Sequence, residues 1–444
     1  MHRFFKSEFF NFEVVRILGT APNGGSDVAE VLEAIGHIKD GDAESWGRAW
    51  KTQAERAEAL GIKAKRDGLK TLARDAFLRA SNYTRASGYM LTGDGPNRPD
   101  PNLRHVCERV HDLFREATAL MNCGVHYVSI PYSHGKAAVN SGSSDAHMLL
   151  PGILYLPPPE KRAPGKIPIL ISTGGADALQ EELYYMHPCA GPDLGYAVLT
   201  FEGPGQGLTL RRENVKMRPD WEVVVSAVVD WIEEHAKTQP ELNLDTSRIA
   251  IAGASLGGYF ALRGALDPRI KACAALDPTY SLWDFAMAHV SPAFVGAWDR
   301  GWLTDGFVDF FIGLGMKAAF QMRWDVSLAG TFFGIESPAG IMKEMKRYSF
   351  EDGGGKGSLL ERLECPVLVS GASHSLYFDA DHHTLRVHKA LTALNESDKE
   401  LWIATTPGQG SIQAKMGALN LANLKVYGFL DRCLGVERGT GATV

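Results

Sequence analysis

The chain has 444 residues, about three times a ~150-residue domain, so two or three compact units are expected. Apolar residues make up 45% and charged residues 22%, globular proportions that exclude the disordered, collagen-like and coiled-coil classes. A net charge of −6, from 46 basic and 52 acidic residues without long one-sign blocks, leaves no footprint for nucleic acid or a membrane surface.

The N-terminal MHRFFKSEFFNF carries two aromatic pairs broken by Lys6 and Glu8. It lacks the roughly 7–15-residue apolar core of a secretion signal. No stretch reaches the ~18 apolar residues of a membrane span. Six cysteines stand far apart, with no CxxC and no Cys/His spacing suited to zinc. A cytoplasmic protein with free thiols and no metal or cofactor is the expectation.

Residues 26–121 read as helical. Ser26 is placed to cap a helix in which Val28, Val31, Leu32 and Ile35 follow the i, i+3, i+4, i+7 spacing. Leu69, Leu72, Ala73, Ala76, Phe77 and Ala80 form a second stripe, and Val106, Val110, Leu113, Phe114 and Ala117 a third. After Gly124 the pattern changes to short runs of Val, Ile and Leu, among them Met148–Leu156, Ile167–Ser172, Tyr196–Phe201, Arg248–Ala252, Lys271–Leu276, Pro366–Ser370 and Lys399–Thr405. Helical patterns such as Trp221–His235 separate several of these runs. That alternation predicts a mainly parallel sheet covered on both faces.

The span from Pro278 to Gly357 is too long for a simple crossover. It is rich in aromatics (Trp283, Phe285, Phe294, Trp298, Trp302, Phe307, Phe310, Phe311) and closes with Asp352-Gly353-Gly354-Gly355. The organisation read from this is a helical cap over 1–124, a sheet core in two parts over 125–277 and 358–444, and an inserted helical lid over 278–357.

Gly253-Ala254-Ser255-Leu256-Gly257 follows a strand and precedes a helical stretch. This is G-x-S-x-G in the setting of a nucleophile elbow, where a tight strand-to-helix turn exposes Ser255 Oγ at the carboxyl edge of the sheet. The same geometry also fits a glycine-rich turn with an idle serine. Ser172-Thr173-Gly174-Gly175-Ala176-Asp177 follows an earlier strand, where such a fold takes one oxyanion N–H; Leu256 supplies the other. Gly175, Ala176, Asp177 and Leu256 are therefore the candidate oxyanion and substrate-binding residues. The glycines of Glu202-Gly203-Pro204-Gly205-Gln206-Gly207 read as packing rather than catalytic.

GGADALQEELYY (174–185), YAVLTFEGPGQG (196–207) and GASLGGYFALRGALDPRIKACAAL (253–276) resemble the α/β hydrolases grouped with fermentation–respiration-switch esterase-like proteins. Relatives of that group include dihydroxypseudooxynicotine hydrolase and fungal polyketide-shortening hydrolases. The resemblance covers residues ~125–440 and implies an α/β-hydrolase fold with an eight-stranded, mainly parallel sheet. It also implies a helical N-terminal cap, cleavage of esters or of C–C bonds beside carbonyls, and a homodimer.

The chain departs from the family's triad. In this fold the order is Ser, then an acid, then His. Where the acid normally follows the seventh strand, this chain has Gly371-Ala372-Ser373-His374. The loop after the last strand holds no histidine, and neither does any part of residues 389–444. Two enzymatic readings follow. In the leading one, Ser255 is the nucleophile, His374 a relocated base and Asp277 its orienting acid, attacking a carbonyl of a hydrophobic, polyketide-derived metabolite. In the other, oxyanion donors polarise a carbonyl and the enzyme promotes cyclisation or isomerisation without hydrolysis, its substrate enclosed by the lid's aromatics. A catalytically dead metabolite-binding protein is the third reading. His382-His383 reads as the start of a surface helix rather than a metal pair.

Overall fold

Continuous runs of apolar residues form the centre of an eight-stranded sheet, ordered β1-β2-β4-β3-β5-β6-β7-β8. The computed structural model describes residues 3–133, 148–162, 165–351 and 357–438. His134, His147 and the Asp352-Gly353-Gly354-Gly355 stretch lie outside these described residues. The strands are β1 (Gly124–Tyr132), β2 (Met148–Leu156), β3 (Ile167–Thr173), β4 (Ala197–Phe201), β5 (Leu244–Ala254), β6 (Ile270–Leu276), β7 (Val367–Ala372) and β8 (Lys399–Ala404). β1 and β4 run antiparallel to β2, and every other pairing is parallel.

Every residue of β3 and β4 is buried, as strands covered on both faces require. Side chains on alternate positions join different cores. Ile169, Ile171, Ile249 and Ile251 pack into one, and Leu170, Ala250 and Ala252 into the other. From β3 the chain crosses to β4 on one side and then returns to β5 on the other. Connections leaving two neighbouring strands in opposite directions open a crevice at their carboxyl ends. The loops at that crevice begin at Gly174 and at Ser255.

Five helices precede the sheet: α1 (Glu8–Leu18), α2 (Val28–His37), α3 (Ala43–Arg66), α4 (Lys70–Tyr89) and α5 (Asn102–Thr118). α1 departs from the sequence reading, which placed no helix there. Ser7 caps it by accepting from Phe10 N, and residues Phe9 through Ile17 are all buried. Ser26 does not cap α2. Asp27 does so, accepting from Ala29 N, while Ser26 Oγ donates to Ile17 O at 2.8 Å.

Within the sheet region lie α6 (Gln180–Leu183), α7 (Gly207–Glu213), α8 (Glu222–Thr238) and α9 (Leu256–Gly264). Between β6 and β7 come α10 (Leu282–His289), α11 (Pro292–Asp299), α12 (Asp305–Ala318), α13 (Phe320–Phe333) and α14 (Pro338–Met345). α15 (Thr384–Ala390) precedes β8, and α16 (Leu419–Leu434) ends the fold. Among the described residues no helix is long and apolar enough to cross a membrane.

Candidate active site

β5 ends at Ala254, and α9 starts at Leu256, so Ser255 alone makes the turn, at φ 57° and ψ −124°. A non-glycine residue held there stores about 1–3 kcal/mol of strain. The surrounding glycines allow the turn because backbones pass too close for side chains. A Cβ on Gly253 would lie 2.2 Å from Gly257 O, and one on Gly257 would lie 2.7 Å from Thr173 O. Ser255 N donates to Leu276 O at 2.8 Å, which ties the turn to the end of β6.

The loop after β3 rests on the first turn of α9. A Cβ on Gly175 would sit 3.6 Å from Gly257 N and 3.8 Å from Leu256 Cβ. Gln206 Nε2 donates to both Gly174 O (2.7 Å) and Gly175 O (2.9 Å), fixing the carbonyls of this loop. Leu256, as the first helical residue, has an N–H without an acceptor within its helix. Backbone N–H groups at a helix N-terminus suit a carbonyl oxygen that gains negative charge. Gln206 belongs to the glycine-rich turn, whose Gly207 (φ 37°) faces Glu202: a Cβ there would fall 1.9 Å from Glu202 Oε1. Glu202 accepts from Leu208 N at 2.7 Å, and burial followed by the nearby Glu181 pushes its carboxyl up to about 8.

Asp177 belongs to a buried ionic cluster anchored on α1. Arg16 forks onto Glu182 through Nε (2.5 Å) and Nη2 (2.6 Å), and its Nη1 donates to Asp177 Oδ2 at 2.7 Å. Tyr89 OH donates to the same oxygen at 2.8 Å. Burial alone raises the Asp177 carboxyl, but Arg16 and Tyr89 outweigh it and hold it below the usual range. Glu13, one helical turn earlier, is pushed by burial up to about 7, against the pull of Arg16 and Arg85.

Among the described residues no hydrogen bond joins His374 to Ser255 or to Asp277, the pair expected to form a relay with it. His374 is exposed, and its Nδ1 sits 3.0 Å from both Ser411 Oγ and Ser373 Oγ. Asp277 is 3% exposed, and its Oδ1 accepts from Lys415 Nζ (2.7 Å) and Ser370 Oγ (2.8 Å). The physical reason lies in the loop after β8. Ala414 and Lys415 both take φ 58°, which turns a fully buried lysine inward onto Asp277 and onto Gly371 O at 2.9 Å. Burial raises the Asp277 carboxyl and lowers the Lys415 ammonium, and each partly restores the charge of the other. The same loop presents Gln413, whose Nε2 donates to Asp277 O at 3.0 Å while its Oε1 accepts from Ser375 Oγ at 2.6 Å.

Ser255, Gly175, Ala176, Asp177 and Leu256 line one cavity of about 170 Å³. Phe12, Leu282, Phe285, Leu328, Phe332, Met345 and Phe378 supply apolar walls, and Arg16, Tyr89, Asp325, Tyr377 and Gln413 supply polar atoms. No histidine lines it among the described residues. Of the eight lid aromatics singled out in the sequence, only Phe285 reaches the cavity. Trp302 (71%) and Phe310 (62%) face outward, because the exposed side of α12 and the turn before it carry them. Sequence reading missed Arg16, Asp325, Tyr377 and Gln413. Ser7 followed by Phe9, Phe12 and Val15 was the available signal for α1, and Trp324, Leu328, Ala329 and Phe332 marked the α13 face that contains Asp325.

Asp284, His382 and His383 bring possible metal donors within 4.8 Å of one another. They fit a metal poorly. His383 Nδ1 accepts from Tyr280 N at 3.1 Å, and burial lowers its pKa to about 4, so the ring is neutral with its proton on Nε2. Arg386 lies 3.7 Å from Asp284 and already balances its charge.

No family model matches the chain. Whole-length relatives do. The chain is 62% identical over 438 residues to Hydrolase ORFZ of Pyricularia oryzae, covering 99% of each. It is 49% identical to Hydrolyase ccsE of Aspergillus clavatus, again with 99% of each covered. Identity to Alpha/beta hydrolase xenA of Xenoacremonium sinensis is 41%, with the same coverage. Among solved structures, 2,6-dihydroxy-pseudo-oxynicotine hydrolase shares the fold with a TM-score of 0.65 at 17% identity, covering 95% of this chain and 97% of that one.

Proposed function

The chain belongs to the α/β hydrolases, and we propose that within this family it activates a carbonyl of a hydrophobic, polyketide-derived metabolite for cyclisation or isomerisation rather than hydrolysis. One observation carries this reading: the cavity that holds Ser255 and the oxyanion loop has no histidine on its described walls, and Asp277 is committed to Lys415. A serine that attacks a carbonyl must lose its proton to a base within hydrogen-bond reach. Without one, the N–H groups still draw electron density from a bound carbonyl, which acidifies the adjacent C–H and favours an enolate. The apolar walls suit a greasy chain, and the few polar groups suit its oxygenated end.

Hydrolysis stands as the second reading, favoured by the strained turn at Ser255, which exposes Oγ as a nucleophile elbow does. The names of the relatives do not choose between the two, since they divide between hydrolase and hydrolyase. Treatment with a fluorophosphonate, with p-nitrophenyl hexanoate as a reporter ester, separates them. The expected result is an unmodified Ser255 and ester cleavage no faster than in buffer. An adduct at Ser255 that is lost in Ser255→Ala and in His374→Ala establishes the hydrolase instead. Absence of any turnover, with metabolite binding retained, leaves a binding protein.

A further inference from the structure

Four neighbouring positions on α13 turn Trp324, Leu328, Ala329 and Phe332 into the Ser255 cavity. Their spacing is that of one helical face, and in its midst stands a carboxylate, Asp325. A carboxylate in such a stripe loses hydration and normally gains a cation or several donors in exchange. Asp325 is part-buried with its carboxylate open to the cavity, and among the described residues it makes no hydrogen bond and no ion pair. Arg16, the arginine that lines the same cavity, spends its fork on Glu182 and its remaining arm on Asp177. A structural role leaves that arrangement unexplained; a group that exchanges a proton with a ligand accounts for it.

We propose that Asp325 is the acid–base residue of this cavity, removing a proton from the carbon beside a carbonyl whose oxygen rests on the N–H groups of Ala176 and Leu256. The inference rests on the carbonyl-activation reading above and names its missing proton acceptor. In the step, the C–H bond breaks and its proton passes to a carboxylate oxygen of Asp325. The electron pair moves into the C–C bond, and the negative charge collects on the carbonyl oxygen. Return of the proton from Asp325 to the far end of a conjugated system completes an isomerisation with no net loss of atoms or electrons. The ligand class is therefore an enolisable ketone attached to an apolar chain.

The electrostatic surroundings support the assignment. Burial, and then the neighbouring Asp177, push the Asp325 carboxyl up to about 7, where a base is both available and strong enough to act near neutrality. The charged and titratable groups that line the same cavity are Arg16 on α1, Tyr89 on α4, Asp177 on the β3 loop, Glu182 on α6 and Tyr377 on the loop after β7.

The test uses the full chain and 4-phenylbutan-2-one in deuterated water, following loss of the α-proton signals by NMR. Exchange faster than in buffer is expected, rising with pH through a midpoint near 7. Asp325→Asn should slow it at least tenfold while the protein still unfolds cooperatively, and Asp325→Glu should restore part of the rate. Asp177→Asn should move the midpoint to lower pH, since it removes a negative neighbour and frees Arg16. Exchange that persists in folded Asp325→Asn overturns the assignment and leaves carbonyl activation standing. No exchange by the unaltered chain overturns the assignment, and a fluorophosphonate adduct at Ser255 in that case removes the carbonyl-activation reading with it.

Discussion

Replacing Lys415 by Met tests whether the buried pair, rather than a catalytic relay, is what Asp277 serves. The substitution keeps the side chain's volume but strands a carboxyl that is 3% exposed, with Ser370 as its remaining side-chain donor. Breaking a buried pair from one side costs about 3–5 kcal/mol. The protein can escape by holding Asp277 protonated, which bounds the loss. Keeping a carboxyl neutral at pH 7, when its unfolded pKa is about 3.9, costs about 4 kcal/mol. The sign follows from linkage: without its ammonium partner the folded pKa of Asp277 rises further above the unfolded value. Stability is then fullest below pH ~4 and falls by about 1.4 kcal/mol per pH unit as pH increases, until the folded pKa is passed. Urea denaturation of Lys415→Met should accordingly show a deficit of about 1–2 kcal/mol at pH 5 and about 4 kcal/mol at pH 7. The double variant Asp277→Asn/Lys415→Met, like the single variant, loses the bond to Gly371 O, worth about 1 kcal/mol, but it has no stranded carboxyl, so its deficit should vary far less with pH. Equal deficits in the single and double variants, or a single-variant deficit that is flat with pH, would refute the reasoning.

Asp325→Asn should stabilise the protein progressively as pH rises from about 4 to about 7, by up to about 4 kcal/mol and then levelling off, because a carboxyl raised to about 7 in the fold resists giving up the proton that the unfolded chain loses near about 3.9. Thermal unfolding at several pH values measures this, and a pH-independent difference contradicts it. Gly207→Ala should lower stability by at least ~2 kcal/mol, since the new Cβ would overlap Glu202 and the backbone is left-handed; a Tm within a degree of the original speaks against the turn described. Arg16→Met should cost about 3–5 kcal/mol by leaving Glu182 and Asp177 without their shared cation. Pairing it with Glu182→Gln and Asp177→Asn should recover most of that loss in denaturant titration.

Much of the fold was legible because local patterns answer to local physics. The Val/Ile/Leu runs of β3 and β5 announce strands buried on both faces, and glycine at 253 and 257 announces a turn with no room for side chains. Counting histidines sufficed to remove the usual triad, since residues 389–444 contain none. What took the place of the base is a matter of three dimensions. Asp277 and Lys415 are far apart in the chain, and only the inward turn at Ala414 and Lys415 makes them partners. The sequence likewise offered His374 as a neighbour of Ser255, but loop direction leaves its ring in solvent beside Ser411. Aromatic content misled for the same reason: composition does not say which side of α12 is the inside. Arg16 and Asp325 reach one cavity from distant parts of the chain because α1 and α13 both line the crevice at Ser255, and no periodicity in either segment encodes that meeting.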